Sequence, residues 1–578
     1  MKLLKTYLHG YEKESILAPL FKLLEAFFDL LVPLVIAQII DVGLKNRNRS
    51  QIWGQIAILL VLAVLGLAAS ISAQYFAAKA SVGFATKLRQ AAFDHIKDLS
   101  YSALDATSQS TLITRLTSDI NRVQDGLNMA LRLLLRSPFV VFGSMVMAFT
   151  INVKSALIFV VAIPVLSLVV FGIMLVSIPL FKKVQFKLDR ITQATTENLT
   201  GVRVIRAFRK ESDEVKDFDQ RNQELTNLNL FVGRLSAAMN PLTYALINLA
   251  TIVLIYQGAL QVNFGTMQQG QVVALYNYMA QMIIELIKLA SLIITINQAI
   301  ACGQRVQRVL AIPSQAQTIS HGKQTQLADS SVEFDQVSFT YEHAGAPSLS
   351  DVSLTARPGQ TIGIIGGTGS GKSTLINLIP RFYDVSQGTV KVGGYSVKDY
   401  APGALVKAIG VVPQKAQLFA GSIRDNLQLG NPAATDDELW SALSTAQAKD
   451  VVEAKPGQLD FKIEQGGRNL SGGQKQRLTI ARALVTHPQI LLLDDSASAL
   501  DFATDAHLRQ AIHNLNGQLT TFIVSQRAAS IMQADQILVL SDGQVAGLGS
   551  HEELLANCPV YQEIFYSQFP EKRKPVQA

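Results

Sequence analysis

The sequence predicts an α-helical membrane domain of six transmembrane helices followed by a soluble α/β domain. The mean hydropathy of the chain is +0.25, and its apolar residues lie mostly in long stretches before about Leu310. After about Gln326, short apolar runs alternate with glycine-rich turns, which is typical of an α/β protein. Charged residues make up only 16% of the chain, which excludes an intrinsically disordered protein, since such chains are rich in charge and poor in apolar side chains.

The charge balance and the cysteine count exclude further classes. Lysine and arginine number 51 against 44 aspartate and glutamate in 578 residues, a net charge of +7. Because the chain is so apolar, this small excess of positive charge indicates contact with a lipid bilayer, and we expect no nucleic acid as a partner. The two cysteines, Cys302 and Cys558, exclude a disulfide scaffold and a cysteine-rich metal site.

Six stretches in the first half are long enough to cross a bilayer, which requires about 20 mostly apolar residues in a helix. Two long segments between the spans, Lys79–Leu134 and Lys182–Arg234, are rich in lysine and arginine, which favours a cytosolic location. Lys45, Arg47 and Arg49 oppose this orientation, but an even number of spans still places both termini on one side. The predicted spans are Ile16–Gly43, Ile52–Ala77, Leu135–Asn152, Ser155–Phe181, Ala237–Val262 and Val272–Ile300.

These patterns divide the chain into three parts. We predict a transmembrane domain over residues 1–312, a polar linker over 313–331 and an α/β domain over 332–578. The amino-terminal segment has no short apolar core followed by a small-residue cleavage site, so we expect no cleavable signal peptide.

The α/β part contains a phosphate-binding pattern. A buried strand is predicted over Thr361–Ile365 and an apolar helix over Leu375–Ile379, and the residues between them read G-x-x-x-x-G-K-S. Such a loop lets backbone N–H groups converge on phosphate oxygens, while Lys372 neutralises the outer phosphates and Ser373 binds Mg²⁺. A chance glycine-rich turn would lack this strand and helix. The predicted loop residues are Gly366, Gly367, Thr368, Gly369, Ser370, Gly371, Lys372, Ser373 and Thr374.

A second nucleotide-binding pattern lies downstream of the loop. The apolar run from Gln489 predicts a strand that ends in Asp494. An aspartate at this position holds the Mg²⁺ that bridges the terminal phosphates of a nucleotide. The pattern is common by itself, but it becomes specific when it follows a phosphate-binding loop.

Between these two patterns the chain reads Leu470-Ser471-Gly472-Gly473-Gln474, and here it resembles the ATP-binding cassette (ABC) family, whose signature is LSGGQ. The resemblance covers the whole chain, because six spans followed by one α/β P-loop nucleotide-binding domain is the layout of an ABC exporter half-transporter. It implies ATP and Mg²⁺ as cofactors and a dimer in which each ATP lies between the phosphate loop of one chain and the signature of the other. The signature begins a helix, and the free N–H groups and dipole of a helix N-terminus favour binding of the γ-phosphate.

The resemblance also implies roles for single residues. Tyr341 would stack on adenine, and Asp501 would belong to the D-loop at the dimer interface. Ser110–Leu116 and Glu197–Ile205 resemble the two cytosolic loops that carry coupling helices. The expected Mg²⁺ ligands are Ser373, Gln414 and Asp494, and the residues expected to face the partner's ATP are Ser471, Gly472, Gly473 and Gln474.

Two positions depart from the family pattern. The family has a glutamate as general base after the magnesium aspartate, where this chain has Asp495, and a switch histidine where this chain has Gln526. Aspartate is one methylene shorter, and a misplacement of about 1 Å can cost about a hundredfold in rate. Glutamine cannot titrate. We therefore predict that both catalytic positions are weak or inactive. An active homodimer that tolerates both changes is the alternative.

These departures resemble the degenerate half of heterodimeric bacterial multidrug exporters of the LmrCD and BmrCD type. The resemblance implies an ATP-hydrolysing translocase in the bacterial cytoplasmic membrane, with both termini and the nucleotide-binding domain in the cytosol. A different ABC half-transporter with consensus catalytic residues would be its partner, and small amphipathic compounds its substrates. The alternatives are a lipid or peptide exporter of the same architecture, or a membrane ATP sensor that transports nothing.

Charged residues inside the predicted spans suggest where a substrate binds. Lys22, Glu25 and Asp29 share one helical face, and Glu285 and Lys288 lie one turn apart in the last span. Intramembrane ionisable residues usually face a bundle interior or a water-filled cavity. Glu25 and Asp29 are therefore candidates for substrate contact, and mutual pairing of these charges near the cytosolic ends of the helices is the alternative interpretation.

Overall fold

A computed structural model describes residues 2–314, 322–342, 344–515 and 519–572. Residues 315–321 of the predicted linker therefore lie outside the described chain. The chain forms two compact units, the first comprising Met1–Ile96 and Ser110–Ala311 and the second Lys97–Gln109 and Ile312–Ala578. The short segment Lys97–Gln109 thus belongs to the second unit, although it lies within the helical half of the sequence.

The first unit contains six helices that are long and apolar enough to cross a membrane, which confirms the predicted helical membrane domain. In chain order, the first to sixth spans are Glu12–Leu44, Arg49–Lys97, Gln109–Ile151, Val153–Thr200, Glu211–Asn263 and Gln269–Leu310. The individual helices of this half are α1 (Lys2–Tyr7), α2 (Glu12–Gln38), α3 (Arg49–Lys97), α4 (Tyr101–Ala106), α5 (Gln109–Thr114), α6 (Ile120–Leu133), α7 (Arg136–Ile151), α8 (Val153–Thr200), α9 (Val202–Ala207), α10 (Glu211–Asn263) and α11 (Gln269–Leu310).

The apolar residues of the spans face both inward and outward. Phe159, Leu254 and Tyr278 are fully buried in the core of the helical unit. Leu168 and Ile252, in contrast, leave 76% and 65% of their surface exposed. Exposed apolar surface on this scale is stable only where lipid covers it. The six helices therefore form a bundle whose outer surface suits a bilayer, and the protein is a multi-pass membrane protein.

Four of the described helices, α3, α8, α10 and α11, are much longer than a bilayer is thick. α8 has 48 residues and α10 has 53, so at about 1.5 Å per residue they are roughly 70 to 80 Å long. The hydrocarbon core of a bilayer is only about 30 Å thick. The basic segment Lys182–Arg234 is therefore mostly helical, and it consists of the end of α8, the short helix α9 after Gly201 and the first part of α10.

The third and sixth spans approach each other most closely at a glycine. A Cβ atom on Gly126 of α6 would lie only 2.2 Å from the Cβ atom of Ala299 on α11. Small residues at such a crossing let two helix backbones pack together closely. Gly172 of α8, in contrast, has open space at the position of a Cβ atom.

This contrast gives a stability prediction. We expect Gly126→Ala to lower the unfolding free energy of the helical unit by about 1–3 kcal/mol, because the added methyl group forces the two helices apart. Gly172→Ala is the matched control, and it should be neutral or stabilise by about 0.5–1 kcal/mol, since alanine favours the helix and meets no neighbour. Thermal unfolding of the detergent-purified protein measures both. Equal midpoints for the two variants would contradict the close helix crossing.

The second unit is an α/β domain built on a mostly parallel sheet. Its six-stranded sheet has the order β12-β11-β3-β10-β9-β6, a four-stranded antiparallel sheet has the order β2-β1-β4-β5, and β7 pairs with β8. The strands are β1 (Val332–Phe339), β2 (Leu349–Ala356), β3 (Thr361–Gly366), β4 (Gln387–Val392), β5 (Tyr395–Ser396), β6 (Ile409–Val412), β7 (Gly421–Ser422), β8 (Lys462–Ile463), β9 (Ile490–Asp494), β10 (Thr520–Val524), β11 (Gln536–Ser541) and β12 (Gln544–Gly549).

Side chains alternate across the central sheet and form two cores. Ile364 and Leu492 pack on one face, while Ile365 and Leu493 pack on the other. Helices cover the sheet, which is why its central strands are apolar throughout. The helices of this unit, besides α4, are α12 (Lys372–Leu378), α13 (Ala404–Ala408), α14 (Ile423–Gln428), α15 (Asp436–Thr445), α16 (Lys449–Glu453), α17 (Gly472–Leu484), α18 (Phe502–His513), α19 (His551–Asn557) and α20 (Pro559–Gln568).

Candidate functional site

Four neighbouring parallel strands bring the predicted catalytic residues to one edge of the central sheet. The phosphate-binding loop follows β3, Gln526 follows β10, Asp494 ends β9, and Gln414 follows β6. Because parallel strands end at the same edge, residues distant in sequence meet there. They line a cavity of about 340 Å³ together with Tyr341.

The phosphate-binding loop has a shape that glycine makes possible. Gly369 and Gly371 have φ angles of +83° and +93°, a region that other residues rarely adopt. A Cβ atom on Gly371 would also lie 2.6 Å from the carbonyl oxygen of Ser348. The ammonium group of Lys372 donates hydrogen bonds to the carbonyl oxygens of Gly366 at 3.0 Å and Gly367 at 2.5 Å. The loop therefore holds this cation inside the cavity.

Lys372 is placed to exchange these carbonyl partners for phosphate. Burial lowers the pKa of its ammonium group, and the nearby Asp495 and Asp494 partly offset that effect. A buried cation gains more from an anionic partner than an exposed cation does. The electrostatics of the loop thus favour an anion.

Ser373 and Asp494 form a pair of oxygen ligands that fits Mg²⁺. The Ser373 hydroxyl donates a hydrogen bond of 2.9 Å to the Asp494 carboxylate. Burial raises the pKa of Asp494, and the hydrogen bond from Ser373 opposes that shift. Mg²⁺ prefers such oxygen ligands and usually combines one or two protein groups with phosphate oxygens and water. Gln414 lines the same cavity, and its amide oxygen is a further ligand of the predicted set.

The two departing residues lie at this cavity, and their contacts are specific. Asp495 has a left-handed backbone with φ of +46°. Burial raises the pKa of its carboxyl group, and the nearby Gln414 side chain and Gln526 backbone partly offset that shift. The shorter carboxylate thus lies close to both residues. Gln526 also lines the cavity, so both predicted positions stand beside the phosphate-binding loop.

Tyr341 belongs to an aromatic cluster that sequence reasoning did not identify. Its ring meets Tyr383 edge-on at 5.3 Å and Phe339 at 4.8 Å between centroids. Its hydroxyl lies 3.1 Å from the hydroxyl of Thr374 in α12. The cluster holds the ring of Tyr341 at the mouth of the phosphate cavity, the position that the sequence predicts for adenine stacking.

The short helix α4 packs against the same cluster within the second unit. Tyr101 stacks on Phe382 with 4.2 Å between ring centroids, and Tyr383 donates a hydrogen bond of 2.5 Å to Asp105. The segment that docks on the α/β domain is therefore α4, which immediately precedes the predicted coupling segment Ser110–Leu116. The sequence signal for helix α4 is a serine N-cap at Ser100, and in the structure the Ser100 side chain accepts a hydrogen bond from the N–H of Ala103.

The signature residues begin helix α17. The hydroxyl of Ser471 accepts the N–H of Gln474 at 3.3 Å, and the side chain of Gln474 accepts the N–H of Ser471 at 3.1 Å. This capping box leaves the N–H groups of Gly472 and Gly473 at an accessible helix terminus. Asp501 caps α18 in a similar way by accepting the N–H of Thr504 at 2.9 Å.

The candidate substrate contacts in the helical unit lie in an ionic cluster. Glu25 pairs with Lys22 at 2.5 Å, as the alternative interpretation expected. Asp29 pairs at 2.9 Å with Arg136, which also contacts Glu285. Arg136 was not identified from the sequence, although an arginine within an apolar span is a sufficient signal. The cluster joins the first, third and sixth spans.

The exposure of the two carboxylates differs. The side chain of Asp29 is 44% exposed, whereas that of Glu25 is 14% exposed. Glu285 also binds Lys288 at 2.9 Å and the hydroxyl of Ser137 at 2.8 Å. Asp29 is therefore the carboxylate of the pair that a ligand can reach.

Comparison with known proteins identifies the family of both units. The profile of the ABC transporter transmembrane region matches residues 15–286, and the ABC transporter profile matches residues 349–498. An uncharacterized ABC transporter ATP-binding protein of Mycobacterium tuberculosis is 36% identical over 572 residues, which is 98% of each chain. This chain belongs to the ABC transporter family. It is an ABC half-transporter in which a transmembrane domain and an ATP-binding domain are fused.

Other ABC transporters share this layout. The uncharacterized ABC transporter ATP-binding protein YfiB of Bacillus subtilis is 36% identical over 98% of both chains. A fatty acid ABC transporter ATP-binding/permease protein of Mycobacterium bovis is 32% identical over 83% of this chain and 75% of its own length. The structure of a bacterial Atm1-family ABC exporter with ATP bound superposes with a TM-score of 0.79 at 22% identity, over 97% of this chain and 99% of that one. That likeness shows the exporter fold.

The geometry of the loop predicts how the half-transporter binds nucleotide. Lys372→Ala should weaken ATP binding by about 10- to 100-fold, because a hydrogen bond to a charged group contributes about 1.5–3 kcal/mol. Titration of the purified protein with a fluorescent ATP analogue measures this. Lys391→Ala is the control, since Lys391 pairs with Glu333 on β1 and does not line the cavity. Equal affinities for the two variants would contradict the predicted role of Lys372.

Proposed function

We propose that this chain is the degenerate half of a heterodimeric ABC exporter. Its own phosphate-binding loop retains ATP and hydrolyses it poorly, while its signature completes a competent site on a different half-transporter. The observation that carries the proposal is the presence of Asp495 and Gln526 beside an otherwise complete phosphate site. The resemblance to degenerate subunits supports the same conclusion.

The contacts of Asp495 argue against a fully active base. A general base must reach the attacking water within hydrogen-bond distance, and its assistance contributes about 10²–10⁴-fold in rate. The Asp495 side chain is one methylene shorter than glutamate, and it shares the cavity with Gln414 and Gln526. Gln526 cannot supply the missing proton transfer, because an amide side chain does not titrate.

We further propose that the nucleotide-binding domain and both termini lie in the cytosol of a bacterial cell. The long basic segments Lys79–Leu134 and Lys182–Arg234 support this orientation through the positive-inside tendency. The closing of the two nucleotide-binding domains is then transmitted to the transmembrane spans, and ATP hydrolysis drives alternating access.

We propose small amphipathic compounds as substrates, and cationic ones in particular. The carboxylate of Asp29 is 44% exposed although it pairs with Arg136, so it is the acidic group of the ionic cluster that the charged end of such a compound would contact. Lipid export is the second candidate, since one relative carries the name of a fatty acid transporter and is 32% identical. A membrane ATP sensor that transports nothing would need only a membrane anchor, so the presence of six spans argues against this alternative.

The rate of ATP hydrolysis tests the proposed difference between the two nucleotide sites of the heterodimer. Asp495→Asn should change the ATPase rate of the heterodimer by only a few-fold, because this site contributes little hydrolysis. Replacement of the partner's consensus glutamate by glutamine should lower the rate by about 10²–10⁴-fold. Ser471→Ala should also lower it strongly, since that signature faces the partner's nucleotide.

Two results of these ATPase measurements would contradict the proposed heterodimer. Rapid ATP turnover by this chain purified alone would show an active homodimer. An Asp495→Asn heterodimer as slow as the partner's glutamate variant would show that both sites hydrolyse. Either result would refute the degenerate assignment.

The substrate proposal is tested with inverted membrane vesicles. Asp29→Asn should weaken ATP-dependent accumulation of cationic dyes more than that of neutral compounds of similar size, since only the cations lose a charge partner. Glu25→Gln is the matched control, and it should affect both classes equally, because the Glu25 side chain is only 14% exposed and its carboxylate is paired with Lys22. Equal losses in Asp29→Asn would assign that residue a structural role. Absence of any accumulation by the unmodified dimer would favour the sensor, and competition by fatty acids would favour lipid export.

A further inference from the structure

The C-terminal helix α20 contacts the loop that carries the switch position. The side chain of Gln568, the last residue of α20, donates a hydrogen bond of 2.8 Å to the carbonyl oxygen of Gln526. The amide oxygen of the same side chain accepts the N–H of Ala528 at 2.8 Å. One glutamine therefore binds two backbone groups on either side of Arg527, as a neighbouring strand would.

Gln568 is presented by a firmly packed helix. Tyr561 and Phe565 of α20 are 0% and 2% exposed, and both belong to the core that also contains Ala528 and Ile531. Because the helix fixes the backbone of Gln568, binding to the loop costs the conformational entropy of its side chain alone. The two hydrogen bonds of Gln568 thus hold the loop in one position.

The opposite side of the switch loop is held by Arg527. Its guanidinium group donates to the carbonyl oxygens of Leu500 at 3.1 Å and Ser498 at 3.2 Å, next to the D-loop residue Asp501. The N–H of Arg527 also donates to the Ser525 hydroxyl at 3.0 Å. The loop is therefore fixed between the D-loop segment and α20.

The loop that Gln568 holds continues directly from the strand that binds the base position. The N–H of Asp495 donates to the carbonyl oxygen of Val524 at 3.0 Å, two residues before Gln526, and Asp495 and Gln526 line the same cavity. A shift of residues 526–528 would therefore displace the switch position and disturb the backbone beside the base position. Displacements of about 1 Å at such groups can cost about a hundredfold in rate.

We propose that Gln568 is a positioning residue of the nucleotide site, and that α20 is part of the apparatus that aligns the switch position and the residue after the magnesium aspartate. Its amide fixes the loop from Gln526 to Ala528, which follows the residue that binds the backbone N–H of Asp495. The proposal rests on the assignment of Asp495 and Gln526 to the base and switch positions under the proposed function.

The first test measures the loop directly. Gln568→Met keeps the length of the side chain and removes both hydrogen bonds, so the backbone amide of Ala528 should exchange with deuterium about fivefold faster or more in the full-length purified protein. Gln562→Met is the matched control. Gln562 lies on the same helix and donates its amide to the carbonyl oxygen of Leu555 at 2.7 Å, away from the switch loop.

The second test uses a chain with restored catalytic residues. In an Asp495→Glu/Gln526→His background, which should hydrolyse ATP, Gln568→Met should lower kcat about tenfold and leave the KM for ATP within about twofold, because alignment and not binding is lost. Gln568→Glu keeps an acceptor for Ala528 and loses the donor to Gln526, so its kcat should be intermediate. Gln562→Met should leave kcat unchanged.

The outcomes separate the two proposals. Unchanged exchange at Ala528 in Gln568→Met, or equal effects of Gln568→Met and Gln562→Met, would overturn the positioning role. A restored chain that still fails to hydrolyse ATP would count against the degenerate-site proposal, while the exchange measurement would still decide the role of Gln568.

Discussion

The ends of four adjacent parallel strands determine the chemistry of the α/β domain. β3, β10, β9 and β6 stop at one edge of the sheet, so the phosphate-binding loop, the switch position, the magnesium aspartate and Gln414 meet there although more than 150 residues separate the first from the last. Buried apolar faces on both sides of the sheet hold the strands in register. Any change that shifts one strand relative to its neighbour would therefore misalign the whole site.

The loops at this edge are held as firmly as the strands. Glycines with left-handed backbones shape the phosphate-binding loop, Tyr383 and Phe339 hold Tyr341, and Gln568 and Arg527 hold the switch loop from two sides. These contacts support the backbone around Asp495 and Gln526. The loss of activity that we propose therefore comes from the side chains at these two positions, and substitution of both residues should reverse it.

The helical unit depends on a different balance of forces. Lipid removes the hydrophobic drive for helix association, so close packing and polar contacts must supply it. Gly126 permits the close crossing of the third and sixth spans, and Arg136 joins the first span to the sixth through Asp29 and Glu285. Among the acidic residues of this described cluster, Asp29 combines an ion pair with substantial exposure, which suits a contact that must form and break during transport.

The sequence by itself determined the six spans, the α/β class of the second part and the motifs of the ATP-binding family, because apolar length, a glycine-rich loop and LSGGQ are local patterns with direct physical meanings. It also identified Asp495 and Gln526, since a motif predicts which residue should follow. Only the tertiary structure revealed Arg136, Tyr383, the docking of α4 and Gln568. Each of these acts on a partner far away in the chain: Arg136 on Glu285, Tyr383 on Asp105, and Gln568 on Gln526. No local pattern encodes such a pairing, because it exists only after packing has brought the two elements together.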